Sequence, residues 1–103
     1  MDFSKMGEIL SQAQTMKDQM DARLADVIVE GSSGGGAVLI RMNGKKAVLK
    51  VTIDPSAASS AASDISLLED LIVAAINEAS RKADAAAQSN ASSLLGGLNL
   101  PGL

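Results

Sequence analysis

The feature that most constrains this chain is a run of six apolar residues inside a predicted helix. Ser66 and Glu69 have the spacing of a capping box, in which two side chains satisfy free backbone amides at a helix start. The apolar run, residues 71–76, follows directly and covers every side of the helix. A helix that is apolar all round must be buried all round, which one face of a small sheet cannot achieve. The sequence therefore predicts that a second copy of the chain covers part of this helix.

The composition favours the same association. The chain has 103 residues, enough for one domain, and 47% of them are hydrophobic. Alanine supplies 17 of these residues and Phe3 is the only aromatic side chain, so few large apolar groups remain to stabilise a monomer. A homodimer would complete the core. The candidate interface residues on the predicted helix are Leu68, Leu71, Ile72, Ala75 and Ile76.

The missing residue types exclude several kinds of chemistry. Without Cys or His, the chain has no disulfide, no thiolate nucleophile and no zinc site of the usual ligands. No carboxylate pair lies beside a second polar group, so we expect no enzyme activity, no cofactor, no metal site and no small-molecule substrate. No apolar run approaches the roughly 18 residues that span a bilayer, and the N-terminus lacks a signal-peptide pattern. We therefore expect a cytoplasmic protein with no membrane partner.

The remaining patterns predict a further helix and three strands. Residues 4–26 carry apolar side chains at helical spacing, which we interpret as an ordinary core stripe. Its three methionines suggest the alternative of an adaptable contact surface. The stripe consists of Met6, Ile9, Ala13, Met16 and Met20. Strands are predicted at residues 27–30, 37–42 and 46–53. Asn43 and Gly44 predict a two-residue type I′ turn between the last two strands, because that turn needs positive φ at both positions.

Composition also divides the chain along its length. Residues 56–63 contain only alanine and serine and predict a connector. The second helix is predicted to start at Ser66 and to keep helical propensity through Gln88. We therefore predict a single domain over residues 1–88 and a flexible Gly/Leu-rich tail over residues 89–103.

Charge is distributed unevenly. The net charge of −3 argues against a nucleic-acid partner, yet residues 37–53 carry four cations and no acid. The predicted turn places Arg41 opposite Lys46, and like charges that face each other across strands repel. An anion lying over the pair would relieve the repulsion. Alternatively, the basic groups only keep an edge hairpin soluble.

Four motifs occur in a fixed order. They are Gln-Ala-Gln-Thr-Met at 12–16, three glycines at 34–36, Asn43-Gly44 with Ile-Asp-Pro at 53–55, and Leu-Glu-Asp-Leu-Ile-Val-Ala-Ala-Ile-Asn-Glu-Ala at 68–79. Together with Leu-Pro-Gly-Leu at 100–103, they resemble the YbaB/EbfC family of bacterial nucleoid-associated proteins over essentially the whole chain. The resemblance implies an α+β fold of α-β-β-β-α subunits, with an antiparallel three-stranded sheet and long N- and C-terminal helices. It further implies a tweezers-like homodimer that binds double-stranded DNA in the nucleoid.

The resemblance and the charge count favour different DNA-binding residues. The family's helical arms correspond here to the cations Lys5, Lys17, Arg23, Arg81 and Lys82. The charge count favours the hairpin cations Arg41, Lys46 and Lys50. The leading hypothesis is a dimeric nucleoid-associated protein that binds duplex DNA with little sequence specificity and affects nucleoid organisation and gene expression. The alternative is a protein-interaction adaptor with the same fold and weak or no DNA binding.

Overall fold

A computed structural model of the chain gives the predicted order of elements. It describes residues 3–60 and 63–97, with side chains for residues 5–60 and 63–93. The elements are α1 Phe3–Asp26, β1 Ile28–Ser33, β2 Val38–Asn43, β3 Val48–Ile53, α2 Pro55–Ser60 and α3 Ile65–Gly97. The α-β-β-β-α prediction is therefore confirmed, and the connector predicted after the third strand contains the short helix α2.

The three strands form one antiparallel sheet in the order β1-β2-β3. Side chains alternate between the two faces of β2, so that Val38, Ile40 and Met42 are buried while Arg41 is exposed. Helix α3 covers the buried face and contributes three fully buried alanines, Ala75, Ala79 and Ala83. This small core lies between β2 and one face of α3.

The close approach of α3 to β1 depends on a glycine. Gly31 is buried, and a Cβ atom at this position would overlap the carbonyl oxygen of Ala75 and the amide nitrogen of Ala79. Two polar contacts fix the same pair of elements, since Ser33 Oγ donates to the Leu71 carbonyl and Lys82 Nζ donates to the Glu30 carbonyl at 2.8 Å. The backbones of α3 and β1 are therefore in direct contact at Gly31.

The β2–β3 connection is not the predicted type I′ turn. The Asn43 amide donates to the Ala47 carbonyl at 3.0 Å, which makes the loop three residues long. Its positive φ of 70° falls on Lys46, the third loop residue, as in a type I turn followed by a left-handed residue. The Gly44 amide instead donates to the carbonyls of Leu24 (2.9 Å) and Val27 (3.0 Å) and so satisfies the end of α1.

The longer loop changes the pairing of the strands. A register shift beside the loop places Met42 opposite Val48 and leaves Arg41 opposite Lys50. The predicted pairing of Arg41 with Lys46 is therefore wrong. Leu49 is the extra residue at this shift, and without the shift Arg41 would pair with Leu49 instead of Lys50.

Gly44 is expected to be sensitive to substitution because of this contact. A Cβ atom there would lie 2.7 Å from the Leu24 carbonyl oxygen, which is too close for a carbon atom. Gly44→Ala should therefore lower the free energy of unfolding by about 1–3 kcal/mol, measured by urea denaturation. An unchanged midpoint would show that the α1 terminus does not close on this loop.

Aspartates, rather than the predicted capping box, begin the two C-terminal helices. Asp64 Oδ1 accepts the Leu67 amide at 3.2 Å, so Asp64 is the N-cap and Ser66 lies inside the first turn. Asp54 caps α2 in the same manner. The Ser56 hydroxyl, at 2.8 Å, and the Ser56 amide both donate to Asp54 Oδ1 and hold the pKa of Asp54 below its ordinary value.

The two long helices extend beyond the sheet at its β2–β3 loop. Helix α1 ends beside this loop, and α3 passes it at Asp84, whose Oδ1 lies 2.8 Å from Lys46 Nζ. The principal extents of 69 × 29 × 18 Å reflect these arms. No helix in the described part of the chain is long and apolar enough to cross a membrane.

The α1 stripe and the C-terminal end of α3 both differ from their predictions. The α1 stripe is not part of the subunit core, because Met6, Ile9 and Met16 are exposed by 44–64%. Helix α3 is continuous through Gly97, so residues 89–97 of the predicted tail are helical, while residues 98–103 lie outside the described residues. The division of the chain at residue 88 stays a prediction.

Candidate nucleic-acid interface

All nine cations of the chain are exposed and could meet a polyanion. Helix α1 carries Lys5, Lys17 and Arg23; the β2–β3 hairpin carries Arg41, Lys45, Lys46 and Lys50; and α3 carries Arg81 and Lys82. The structure thus distributes the candidate DNA-binding residues over three elements rather than gathering them into one cluster.

Three of the candidate cations are paired with acids. Lys46 Nζ lies 2.8 Å from Asp84 Oδ1, as noted above, and Lys82 Nζ lies 3.2 Å from Glu78 Oε1. The third pair is looser, because the Arg41 guanidinium lies 3.6 Å from Glu30 Oε1. Exposed ion pairs of this kind contribute about 0–1 kcal/mol, so they reduce local positive charge without fixing the cations strongly.

The projecting arms offer little positive potential. Residues 85–97, the part of α3 beyond Asp84, contain no charged residue. Helix α1 carries three cations and four acids over Phe3–Asp26. The structure therefore does not place a surplus of cations on either arm.

The face of the sheet that α3 does not cover carries charged side chains on all three strands. The strand register aligns Glu30 with Arg41 and Arg41 with Lys50, so the three side chains form a row across β1, β2 and β3. The neighbouring row consists of Ser32, Leu39 and Thr52. We call these six residues the open face. A hollow of about 160 Å³ in it is lined by Glu30, Leu39, Arg41, Lys50 and Thr52.

The hairpin carries a fourth cation, Lys45, that was not among the predicted DNA-binding candidates. Lys45 occupies the middle of the β2–β3 loop and is exposed, whereas the predicted two-residue turn placed it opposite Met42. Arg23 lies near the same loop, because the next residue, Leu24, accepts the Gly44 amide. The signal that could have identified Lys45 was its membership of the acid-free segment 37–53.

The candidate dimer-interface residues do not have equal access to a partner. Ala75 is completely buried inside the subunit. The other four, Leu68, Leu71, Ile72 and Ile76, are half-buried and pack against the core. Their assignment to an interface stays a prediction. Exposed apolar side chains also occur on β3, where the sequence analysis named no interface residue; they are Val48, Leu49 and Val51.

These features define a small α+β protein with a half-covered sheet, two long helical arms and cations on its surface. The profile of the YbaB/EbfC DNA-binding family matches residues 2–98, and the chain belongs to this family. A nucleoid-associated protein of Acidobacterium capsulatum is 57% identical over 100 residues, covering 94% of this chain and 93% of that one. The nucleoid-associated protein bll8115 of Bradyrhizobium diazoefficiens is 46% identical, covering 97% of this chain and 92% of that one.

The fold has a solved counterpart. The crystal structure of the uncharacterized protein HP0035 from Helicobacter pylori superimposes with a TM-score of 0.73 at 25% sequence identity. The alignment covers 92% of this chain and 98% of that one. The family resemblance inferred from the sequence motifs is confirmed by these comparisons.

Proposed function

We propose that the protein binds double-stranded DNA in the nucleoid as a homodimer, with little sequence specificity. The observation that carries this proposal is the match to a DNA-binding family over residues 2–98. The names of the relatives, nucleoid-associated proteins, support the nucleoid as its location. A DNA-binding family supports a binding role, and we propose no enzymatic one.

The surface chemistry supports weak sequence readout. The cations are exposed lysines and arginines, which bind phosphates through charge. Phosphate contacts position a protein on the duplex but carry no direct sequence information. With a net charge of −3 per chain, binding depends on local groups of cations rather than on the overall field.

The exposed apolar surface supports the dimer. β3 pairs only with β2 in the described sheet, so its other edge presents unpaired backbone groups. Val48, Leu49 and Val51 on this strand are exposed by 46–50%. A long apolar edge strand left open is an association site, and proteins normally cover it. In the proposed dimer, β3 and the N-terminal half of α3 meet their copies across a two-fold axis.

Helix α3 adds to the proposed interface. Leu67 and Val73 are more than half exposed, next to the half-buried candidates of the sequence analysis. The exposure of Leu67 and Val73 is expected if residues 71–76 are too apolar for one sheet face to cover.

Gel-shift titration against random-sequence duplex DNA tests the DNA-binding proposal. We expect binding at micromolar or lower Kd in 50 mM salt, and a linear fall of log K with log salt concentration as counterions are released. Affinity should vary little among duplexes of unrelated sequence. The absence of a shift at low salt, with protein shown to be folded by circular dichroism, would refute the proposal.

One observation favours the alternative of a protein-interaction adaptor. Ile9 and Leu10 on α1 are about two-thirds exposed, and they continue an apolar stripe along a projecting helix. Apolar anchors at helical spacing are used to dock partner proteins. A folded protein that fails to bind duplex DNA would favour this function.

A further inference from the structure

We infer that the DNA backbone lies on the open face of the sheet, where Arg41 and Lys50 bind phosphates. This inference rests on the proposed DNA-binding function and assigns its site. It differs from placing DNA between the helical arms, because the contacting cations belong to β2 and β3.

The strand register places two cations side by side on this face. Arg41 and Lys50 are directly opposite each other on neighbouring strands, which run about 4.8 Å apart. Both side chains are exposed on the face that α3 does not cover. Thr52 adds a hydroxyl donor to the same hollow, which has room for a phosphate group.

The positive charge of this pair is only partly balanced within the subunit. Like charges directly opposite on two strands destabilise a sheet. Glu30 offsets only part of the charge through its loose contact with Arg41, and β3 itself carries no acid. Lys50 has no acidic partner among the described residues. A polyanion across β2 and β3 would neutralise both cations.

The helical arms, the alternative DNA-binding surface, have no surplus of cations. Beyond Asp84 the α3 arm has no charge with which to hold a phosphate. Helix α1, which carries Lys5 and Lys17, has four acids and three cations. The row on the open face, by contrast, holds two cations and one acid.

The proposed dimer would enlarge this site. If the two copies meet along β3 with the two-fold axis beside Lys50, the two rows join. The joined row contains four cations, two from each copy, on one continuous sheet face. A duplex lying across that face would contact both subunits.

The test compares two double variants that each remove two cations per chain. R41Q/K50Q alters the open face, and K5Q/K17Q is the matched control on the α1 arm. For R41Q/K50Q we expect affinity for random duplex to fall at least tenfold in 50 mM salt. The slope of log K against log salt should fall by about four for a dimer, or about one per lost contact. The arm variant K5Q/K17Q, which tests the competing site, should lower affinity much less than R41Q/K50Q does.

Further variants distinguish a wrong DNA-binding site from a protein that does not bind DNA. R41K/K50R retains both charges and should bind like the wild type, which distinguishes charge from a structural effect. Circular dichroism and dimer mass should be unchanged in all variants. Equal losses in both double variants, or a larger loss in K5Q/K17Q, would overturn the open-face site while leaving DNA binding intact. Failure of the wild-type protein to bind DNA would instead refute the proposed function.

Discussion

Gly31→Ala is expected to destabilise the protein by about 3 kcal/mol, near the upper end for one added methyl group. The added Cβ atom would clash with backbone atoms of α3, namely the carbonyl oxygen of Ala75 and the amide nitrogen of Ala79. They cannot rotate aside as the end of a flexible side chain can. Helix α3 would have to move away from β1 as a unit, which would open the core around Ile40 and weaken the Ser33 contact.

Thermal and urea denaturation followed by circular dichroism measure this effect. For a domain of this size, the loss corresponds to a fall in Tm of about 12–24 °C. Gly7→Ala is the matched control, because nothing lies within 4 Å of a Cβ atom at that position in α1. Alanine there should stabilise the helix by about 0.5–1 kcal/mol. If the two variants melted alike, the direct contact of the α3 and β1 backbones would be wrong.

Helical and strand periodicity predicted the order of elements because each element has a strong local pattern. The alternation in β2 separates Val38 and Ile40 from Arg41 whatever its neighbours are. The role of Gly31 could not be predicted in this way. A glycine in a strand indicates a close backbone approach only after the element that approaches it is known.

The turn shows how a tertiary contact overrides a local signal. Asn43-Gly44 favours a two-residue hairpin turn when the hairpin is considered alone. In the folded chain the Gly44 amide is used to satisfy carbonyls at the end of α1, more than 15 residues earlier in sequence. The loop therefore lengthens and the left-handed conformation moves to Lys46. No pattern within the hairpin contains this information.

The candidate site was predicted in composition but not in geometry. The acid-free segment 37–53 was visible in the sequence, and all four of its cations are exposed. The predicted cross-strand neighbour of Arg41 was wrong because the strand register depends on the loop length and on a bulge. Ion pairs such as Lys46 with Asp84 join residues that are far apart in sequence and could not be predicted from local charge.

The apolar stripe of α1 reveals a general limit of periodicity. Spacing shows that Met6, Ile9 and Met16 share one side of a helix, but it does not show what covers that side. The structure leaves this stripe exposed on an arm of the subunit. The same limit applies to Val48, Leu49 and Val51 on β3, which are apolar and yet exposed at the sheet edge.

Val51→Lys is expected to break the proposed dimer. Val51 is 46% exposed in the subunit and lies on the same strand edge as Val48, so a lysine there can reach solvent in an isolated subunit. In the dimer the same ammonium group would be buried without a partner, once in each copy. An unpaired buried charge costs several kcal/mol, so two copies should weaken association by roughly a thousandfold or more. Ile76 is less suitable for this test because it packs against the subunit core.

Light scattering at micromolar concentration measures the result. The wild-type protein should have twice the chain mass of 10.5 kDa, and V51K should have the mass of one chain. T52K is the matched control, because it adds the same charge to the next residue, on the open face, and should remain dimeric. If V51K unfolds, the wild-type Tm provides the second test, since the Tm of a dimer rises with protein concentration. A wild-type protein with the mass of one chain and a concentration-independent Tm would show that the exposed β3 edge is not covered by a second copy.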